Sequence, residues 1–509
     1  MAVRKGKLCC GLLLAGVTWK LSQASLLNFR PPCCRCWDEG PDEAELLPAS
    51  TQPSRPRARL PPPRDGQKIT VLSIDGGGIR GLIPAVILAS LEEKLKEVEK
   101  EADPEGDWED ARIADYFDLI AGTSTGGLIA TMLATPRPGD ENRRPLFAAK
   151  DIRNFYYKHG ASIFSPVSKT DSLFSWLNDQ YRAFVRGGPK YDATPLEGKI
   201  NRLTGTLTLA DTVTKILVPA FDVRRLNTVT FSSYDAPEML KPHKKHYLSD
   251  VCLGTTAAPT YFRPHHFWSH YTDGDRRHPF HLIDGGVGAN NPTMLAISRI
   301  AREILCGKNP DFEPLEEDQA VDYSKFIVIS IGTGSTKERG RYNADDCARW
   351  TDIKWVRKDG HRPIIDMFAH ASDFWVDTHV STLLDGQRCK NYLRIQALKE
   401  DGLVGPMLLL DNVCKHNMDN LIKVGENLLQ KKVTKVDMIT MRYEKQDTEM
   451  TNEEELKNFA KMLYDERKLR LGKDKQKRPR VDQNEQALPD GAMTTDTKAQ
   501  ATADEMAEK

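Results

Sequence analysis

Tyr116-Phe117-Asp118-Leu119-Ile120-Ala121-Gly122-Thr123-Ser124-Thr125-Gly126-Gly127-Leu128-Ile129-Ala130-Thr131-Met132-Leu133 changes character within a single turn. Phe117 to Ala121 is a short apolar run of the kind that forms a buried strand; it breaks at Gly122, and an apolar helical run follows from Leu128. Between them, Gly122-Thr123-Ser124-Thr125-Gly126 has the Gly-x-Ser-x-Gly spacing of a nucleophile elbow. A serine raised on so tight a turn needs glycine two positions before and two after it to relieve steric conflict. The helix N-terminus then brings free N–H groups to the site. The competing reading is a plain turn, because small residues cluster in many turns.

A serine hydroxyl is a weak nucleophile at neutral pH and needs a base and an oxyanion site. Upstream, the strand-like Ile69 to Ile74 leads into Asp75-Gly76-Gly77-Gly78-Ile79-Arg80-Gly81, and a helical run, Pro84 to Val98, follows. Consecutive glycines at 76, 77 and 78 let successive N–H groups converge on an anion. Arg80 adds positive charge or fixes the loop by pairing with a carboxylate. The same run satisfies the dinucleotide pattern Gly-x-Gly-x-x-Gly. Against a cofactor stand Asp75, an anion beside any pyrophosphate, and Arg80, where dinucleotide sites carry an uncharged residue.

Downstream, His281-Leu282-Ile283-Asp284-Gly285-Gly286 puts an aspartate at a strand end before two glycines. Asp284 is the candidate base; the alternative is that it caps the helix after Pro292 or orders its own turn. A triad in the order Ser, Asp, His would draw on His361, His370, His379 or His416. None lies in a glycine-rich strand-end turn, and His370 and His379 fall in a helical run continuing to Val380. The pattern therefore favours a Ser–Asp dyad, which requires Asp284 to be desolvated so that its pKa rises. Gly332-Thr333-Gly334-Ser335 lacks a P-loop lysine and the second spaced glycine of an elbow, and reads as structural. Leu173, Phe174, Trp176, Leu177, Tyr181 and Phe184 form an apolar stripe at helical spacing, either core packing or a lipid-facing lid.

Around these motifs strand-like and helix-like runs alternate, which implies an α/β fold with a largely parallel sheet. Further strands are expected at Lys215 to Phe221, Thr228 to Ser232, Phe280 to Ile283 and Lys325 to Ile331, and a helix at Phe147 to Tyr157. With 39% hydrophobic and 28% charged residues the chain reads as globular, and a formal net charge of zero argues, in bulk, for neither nucleic acid nor an acidic membrane as the main partner. Of ten cysteines, five crowd the first 36 residues and five are scattered. The scattered ones read as ordinary buried thiols, and no metal-ligand spacing is evident.

Residues 1–66 read as a targeting and linker segment, largely disordered. The first 37 residues lack Asp and Glu, Leu8 to Trp19 is apolar but too short to span a bilayer, and nine prolines lie between Pro31 and Pro63. A secretory signal, an organelle transit peptide, palmitoylated cysteines and an untargeted tail all remain open. So do the corresponding cytoplasmic, secretory or vacuolar, and plastid locations. Residues 67–300 form the expected catalytic core, 301–471 the rest of the same globular domain, and 472–509 a polar, disordered tail.

Together, the glycine loop at 75–81, the elbow at 122–126 and Asp284-Gly285-Gly286 resemble, in order and character, the plant patatin-like phospholipases. The likeness extends to Asp110–Asp118, Arg144–Lys150, Ala257–Tyr261 and Asn391–Ile395, and covers about Gln67 to Leu471. It implies a three-layer α/β/α fold and calcium-independent hydrolysis of acyl esters in phospholipids and galactolipids, with transient membrane contact and neither cofactor nor protein partner. By the same resemblance Ser124 matches the nucleophile, Asp284 its dyad partner, and Gly76, Gly77 and Gly78 the oxyanion loop with Arg80 beside it. Gly288 stands where alanine is expected. Two alternatives share these features: a catalytically weak lipid-binding or defence-signalling protein, and an acyltransferase using the same acyl-enzyme.

Overall fold

The computed structural model describes residues 57–477, apart from 138–139, 141, 166–187, 236–243, 272–276, 336–341, 357, 359–362, 386–389, 438–439, 441 and 446–448. The apolar stripe between Leu173 and Phe184 lies outside the described residues.

The sheet is built outward from β1 (Ile69–Ile74), which pairs in parallel with β2 (Leu119–Gly122) on one side and β8 (Phe326–Ile331) on the other. β9 (Tyr392–Ile395) extends it in parallel beyond β8, and β3 (Lys215–Asp222) pairs in parallel with β2. β4 (Asn227–Ser232) runs antiparallel along β3, and β7 (Arg277–Asp284) is antiparallel to both β3 and β6 (His265–Tyr271). A two-residue strand, β5 (Lys244–Lys245), closes that edge, and β10 (Thr434–Asp437) pairs with β11 (Arg442–Lys445) apart from the main sheet.

β-strand side chains alternate between faces, so one apolar strand can feed two cores. Leu72, Ile74, Ile120, Ile216, Val218, Ile327 and Ile329 enter one cluster, and Val71, Leu119, Ala121, Leu217, Phe326 and Val328 enter the other. The first is covered by α1 (Leu82–Ala102), α2 (Thr125–Ala134), α3 (Ala149–Ile163), α4 (Thr194–Thr204), α5 (Leu248–Thr256), α8 (Lys415–Gln430) and α9 (Asn452–Lys477). The second is covered by α6 (Thr293–Cys306) and α7 (Pro363–Asp385). The result is the three-layer α/β/α arrangement with a mostly parallel sheet.

The expected strands and helices are present within a few residues. β6 and β9 were not read as strands: β9 has only four residues, and β6 is rich in histidine. The ordered body also starts earlier than the proline-rich composition suggests. Arg57 pairs with Glu99 and lies 3.1 Å from Asp115, while Arg470 on α9 donates to Pro61 O at 2.9 Å and pairs with Asp118 at 2.6 Å. Charge pairing rather than apolar burial fixes this segment, which hydropathy does not register. At the other end α9 runs to Lys477, past the expected start of the tail. Of the scattered cysteines only Cys252 is buried; Cys306 and Cys414 are exposed, Cys347 is half-buried, and Cys389 lies outside the described residues. Among the described residues no helix is long and apolar enough to cross a membrane.

Candidate active site

β3 explains why two distant motifs meet. Leu217 to Asp222 pair with β4 along one edge of β3, so β2 and β7 must share the opposite edge, opposite different parts of β3. Ala121 pairs with Leu217, and Asp284 pairs with Ala220. The C-terminal ends of β2 and β7 therefore approach head to head, and Ser124 Oγ donates to Asp284 Oδ2 at 2.6 Å.

The elbow is tight. Ser124 has φ 53° and ψ −120°, a backbone state that costs a non-glycine residue on the order of 1–3 kcal/mol and persists only when its surroundings enforce it. A Cβ on Gly122 would lie 2.1 Å from Gly126 O, and one on Gly126 would lie 2.2 Å from Ile74 O. Glycine at both positions is a steric requirement. Ser124 N–H donates to Thr255 Oγ1 at 2.8 Å, and Thr255 Oγ1 donates onward to Pro219 O at 2.7 Å. Thr123 Oγ1 donates to Ala289 O at 2.7 Å, tying the elbow to the turn after Asp284.

Asp284 is buried, with 7% of its surface exposed, and its other oxygen accepts the Gly286 N–H at 2.7 Å. Burial raises its pKa to about 6, and the bonds from Ser124 and Gly286 hold it from rising further. It does not cap the helix after Pro292. No described histidine bonds to Ser124 or Asp284, and His379 Nδ1 is 2.6 Å from Trp375 O in its own helix. The arrangement suits direct proton transfer from a serine hydroxyl to a carboxylate.

The glycine loop abuts the elbow: a Cβ built on Gly76 would lie 3.3 Å from Ser124 Cβ. Gly76 N–H donates to Asn290 O at 3.1 Å, whereas the N–H groups of Gly77 and Gly78 have no backbone acceptor among the described residues. Gly78 has φ 58°, which glycine adopts freely. Arg80 is buried and fixes the loop through carbonyls; pairing with a carboxylate was one of the two roles read for it. Its Nη1 donates to Gly334 O at 3.0 Å and its Nε to Gly77 O at 3.5 Å. Burial lowers its pKa to about 10 while Asp373, Tyr261 and Asp75 oppose that fall. The Gly332–Ser335 loop, read as structural, braces the glycine loop: Thr333 Oγ1 donates to Gly76 O at 2.5 Å.

Sequence reasoning missed the scaffold behind this loop. Arg394 on β9 forks onto Asp75, and its Nε lies 3.2 Å from Asp377 on α7. Asp377 also accepts from Asn291 Nδ2 at 3.0 Å and from the Tyr443 hydroxyl. Asp373, one turn earlier, is 3.4 Å from Asn290 Nδ2. Burial raises Asp75 to about 6 against the pull of Arg394, and burial with Asp75 and Asp377 raises Asp373 to about 7. Asn290 and Asn291 lie just beyond the quoted Asp284 motif, and Arg394 in the family-like Asn391–Ile395 stretch, but no local pattern linked them.

Comparison with known proteins identifies the family. The family model described as "Patatin-like phospholipase" matches residues 72–297. The chain is 42% identical to "Patatin-like protein 1" of Oryza sativa subsp. indica over 80% of this chain and 92% of that one. It is 41% identical to "Patatin-like protein 1" of Arabidopsis thaliana, over 82% and 94%. It is 37% identical to "Patatin-2-Kuras 4" of Solanum tuberosum, over 80% and 96%. The chain belongs to the patatin-like phospholipases, a family of lipid acyl hydrolases.

Proposed function

We propose that this lipid acyl hydrolase cleaves fatty-acyl esters of membrane glycerolipids, phospholipid and galactolipid alike, through Ser124 and Asp284. The 2.6 Å bond from Ser124 Oγ to a buried Asp284 carries the reading. Asp284 takes the serine proton as Oγ attacks the ester carbonyl, and the tetrahedral oxyanion is held by the N–H groups of Gly77 and Gly78, not by that of Gly76, which is bonded to Asn290 O, with Arg80 holding the loop's shape. Asp284 then returns the proton to the leaving alcohol. Water, deprotonated by the same carboxylate, hydrolyses the acyl-enzyme. Protein groups fill each role, so chelation with EDTA is expected to leave turnover unchanged.

The test is fatty-acid release from phosphatidylcholine and from a galactolipid by wild type, Ser124→Ala and Asp284→Asn. Release by wild type and its loss in both variants supports the reading. Full release by Ser124→Ala removes it. Acyl transfer shares the acyl-enzyme and is separated by product analysis with an alcohol acceptor present.

A further inference from the structure

The β3–β4 hairpin turns through Val223-Arg224-Arg225-Leu226, all exposed. Leu226 is 78% exposed and sits at φ 53°, a left-handed state that asparagine or glycine enters readily and a leucine does not. Folding accounts for neither property, because the side chain buries almost nothing and the backbone is strained. Arg225 is committed to the protein, 2.6 Å from Asp222 and 3.2 Å from Pro279 O. Arg224 contributes only its backbone N–H, to Asp222 Oδ1 at 2.9 Å, and its guanidinium has no partner among the described residues. The tip thus holds two exposed apolar side chains around a free arginine, and its one carboxylate, Asp222, is buried and neutralised.

The hairpin is joined to the catalytic edge. Asp284 pairs with Ala220, two residues before the end of β3. A Cβ on Gly288 would lie 2.2 Å from Thr228 Oγ1, so the hairpin packs against the turn that displays Val287, itself 52% exposed.

We propose that Val223–Leu226 is an interfacial anchor that seats the catalytic edge on a bilayer bearing anionic phosphate headgroups. Val223 and Leu226 enter the headgroup boundary, and Arg224 pairs with phosphate. This rests on the lipid-hydrolase reading above and adds to it the surface by which the enzyme meets its substrate.

Flotation of the Ser124→Ala chain measures binding without turnover. The vesicles are phosphatidylcholine alone, or phosphatidylcholine with roughly 30% phosphatidic acid to supply negative surface potential. Ser124→Ala is expected to float with the acidic vesicles, less so in high salt. Adding Arg224→Glu is expected to lower partition about tenfold on acidic vesicles and little on neutral ones. Adding Leu226→Asn, which suits the left-handed backbone, is expected to lower it several-fold on both without lowering the melting temperature. Equal partition of all three chains, or no flotation of Ser124→Ala, overturns the anchor. Fatty-acid release by wild type from detergent-dispersed lipid reads the hydrolase independently, so the two can fail separately.

Discussion

Arg394 delivers both terminal nitrogens to the carboxylate of Asp75, at 2.7 and 3.0 Å, with side-chain exposures of only 4% and 1%. Asp75 opens the glycine loop, so this fork fastens the loop to β9 from a position 319 residues away.

Arg394→Ala leaves Asp75 and Asp377 buried without their cation, a loss worth about 3–5 kcal/mol, and is expected to accumulate poorly or melt far lower. Arg394→Lys keeps the charge but cannot fork. It is expected to fold and to lower kcat on a soluble short-chain ester about tenfold, with a smaller change in KM, because the displaced loop matters most when the oxyanion forms. Steady-state kinetics and thermal melting of the two variants read this directly. An Arg394→Lys enzyme with wild-type kcat would show that the fork does not position the loop.

The pKa of Asp284, about 6, sets a pH dependence. The base must be ionised, so kcat/KM on a soluble ester is expected to fall about tenfold per pH unit below 6 and to level off above it. The stability effect has the opposite direction. A carboxyl whose folded pKa lies above its unfolded value favours folding only while protonated; that contribution is complete below about 4 and is lost as pH rises through about 6. Asp284→Asn is therefore expected to lose activity yet to melt higher than wild type at pH 8. The rise from 3.8 to about 6 sets the gain at up to about 3 kcal/mol. Denaturant unfolding at pH 5 and pH 8 checks it.

Thr255 holds the elbow from behind. Thr255→Val preserves shape but leaves the half-buried Ser124 N–H and the buried Pro219 O without a partner, at about 1–3 kcal/mol for the buried group. The variant is expected to be less stable and slower, measured by urea unfolding and by kcat on the soluble ester.

The strained serine gives another test. Ser124→Gly relieves the φ of 53°, whereas Ser124→Ala retains the strain. Both are expected to be inactive, with Ser124→Gly more stable than Ser124→Ala by about 1 kcal/mol. Similar melting temperatures for the two would contradict a strained elbow.

The legible features were local ones. The elbow declared itself because strand, glycines and helix are contiguous, and the glycine loop and the strand ending at Asp284 for the same reason. The meeting of Ser124 with Asp284 was expected from the chemistry, but its cause was hidden. It depends on β4 occupying one edge of β3, so that β2 and β7 share the other. Arg80 was read as adding positive charge or as pairing with a carboxylate; it reaches carbonyls, and Arg394 holds Asp75. Thr255, Asp373, Asp377 and Arg394 carry no motif; pairing across hundreds of residues leaves no periodicity to detect. The order of residues 57–66 was missed because it rests on buried ion pairs in a segment whose composition resembles a linker.

The most direct test of Ser124 as the nucleophile is fluorophosphonate labelling of the wild-type chain, followed by peptide mapping and parallel measurement of fatty-acid release. The expected result is one adduct, on Ser124, whose formation tracks the loss of release and is strongly slowed by Asp284→Asn. An adduct on another residue, or full labelling of Ser124 with release intact, would contradict it.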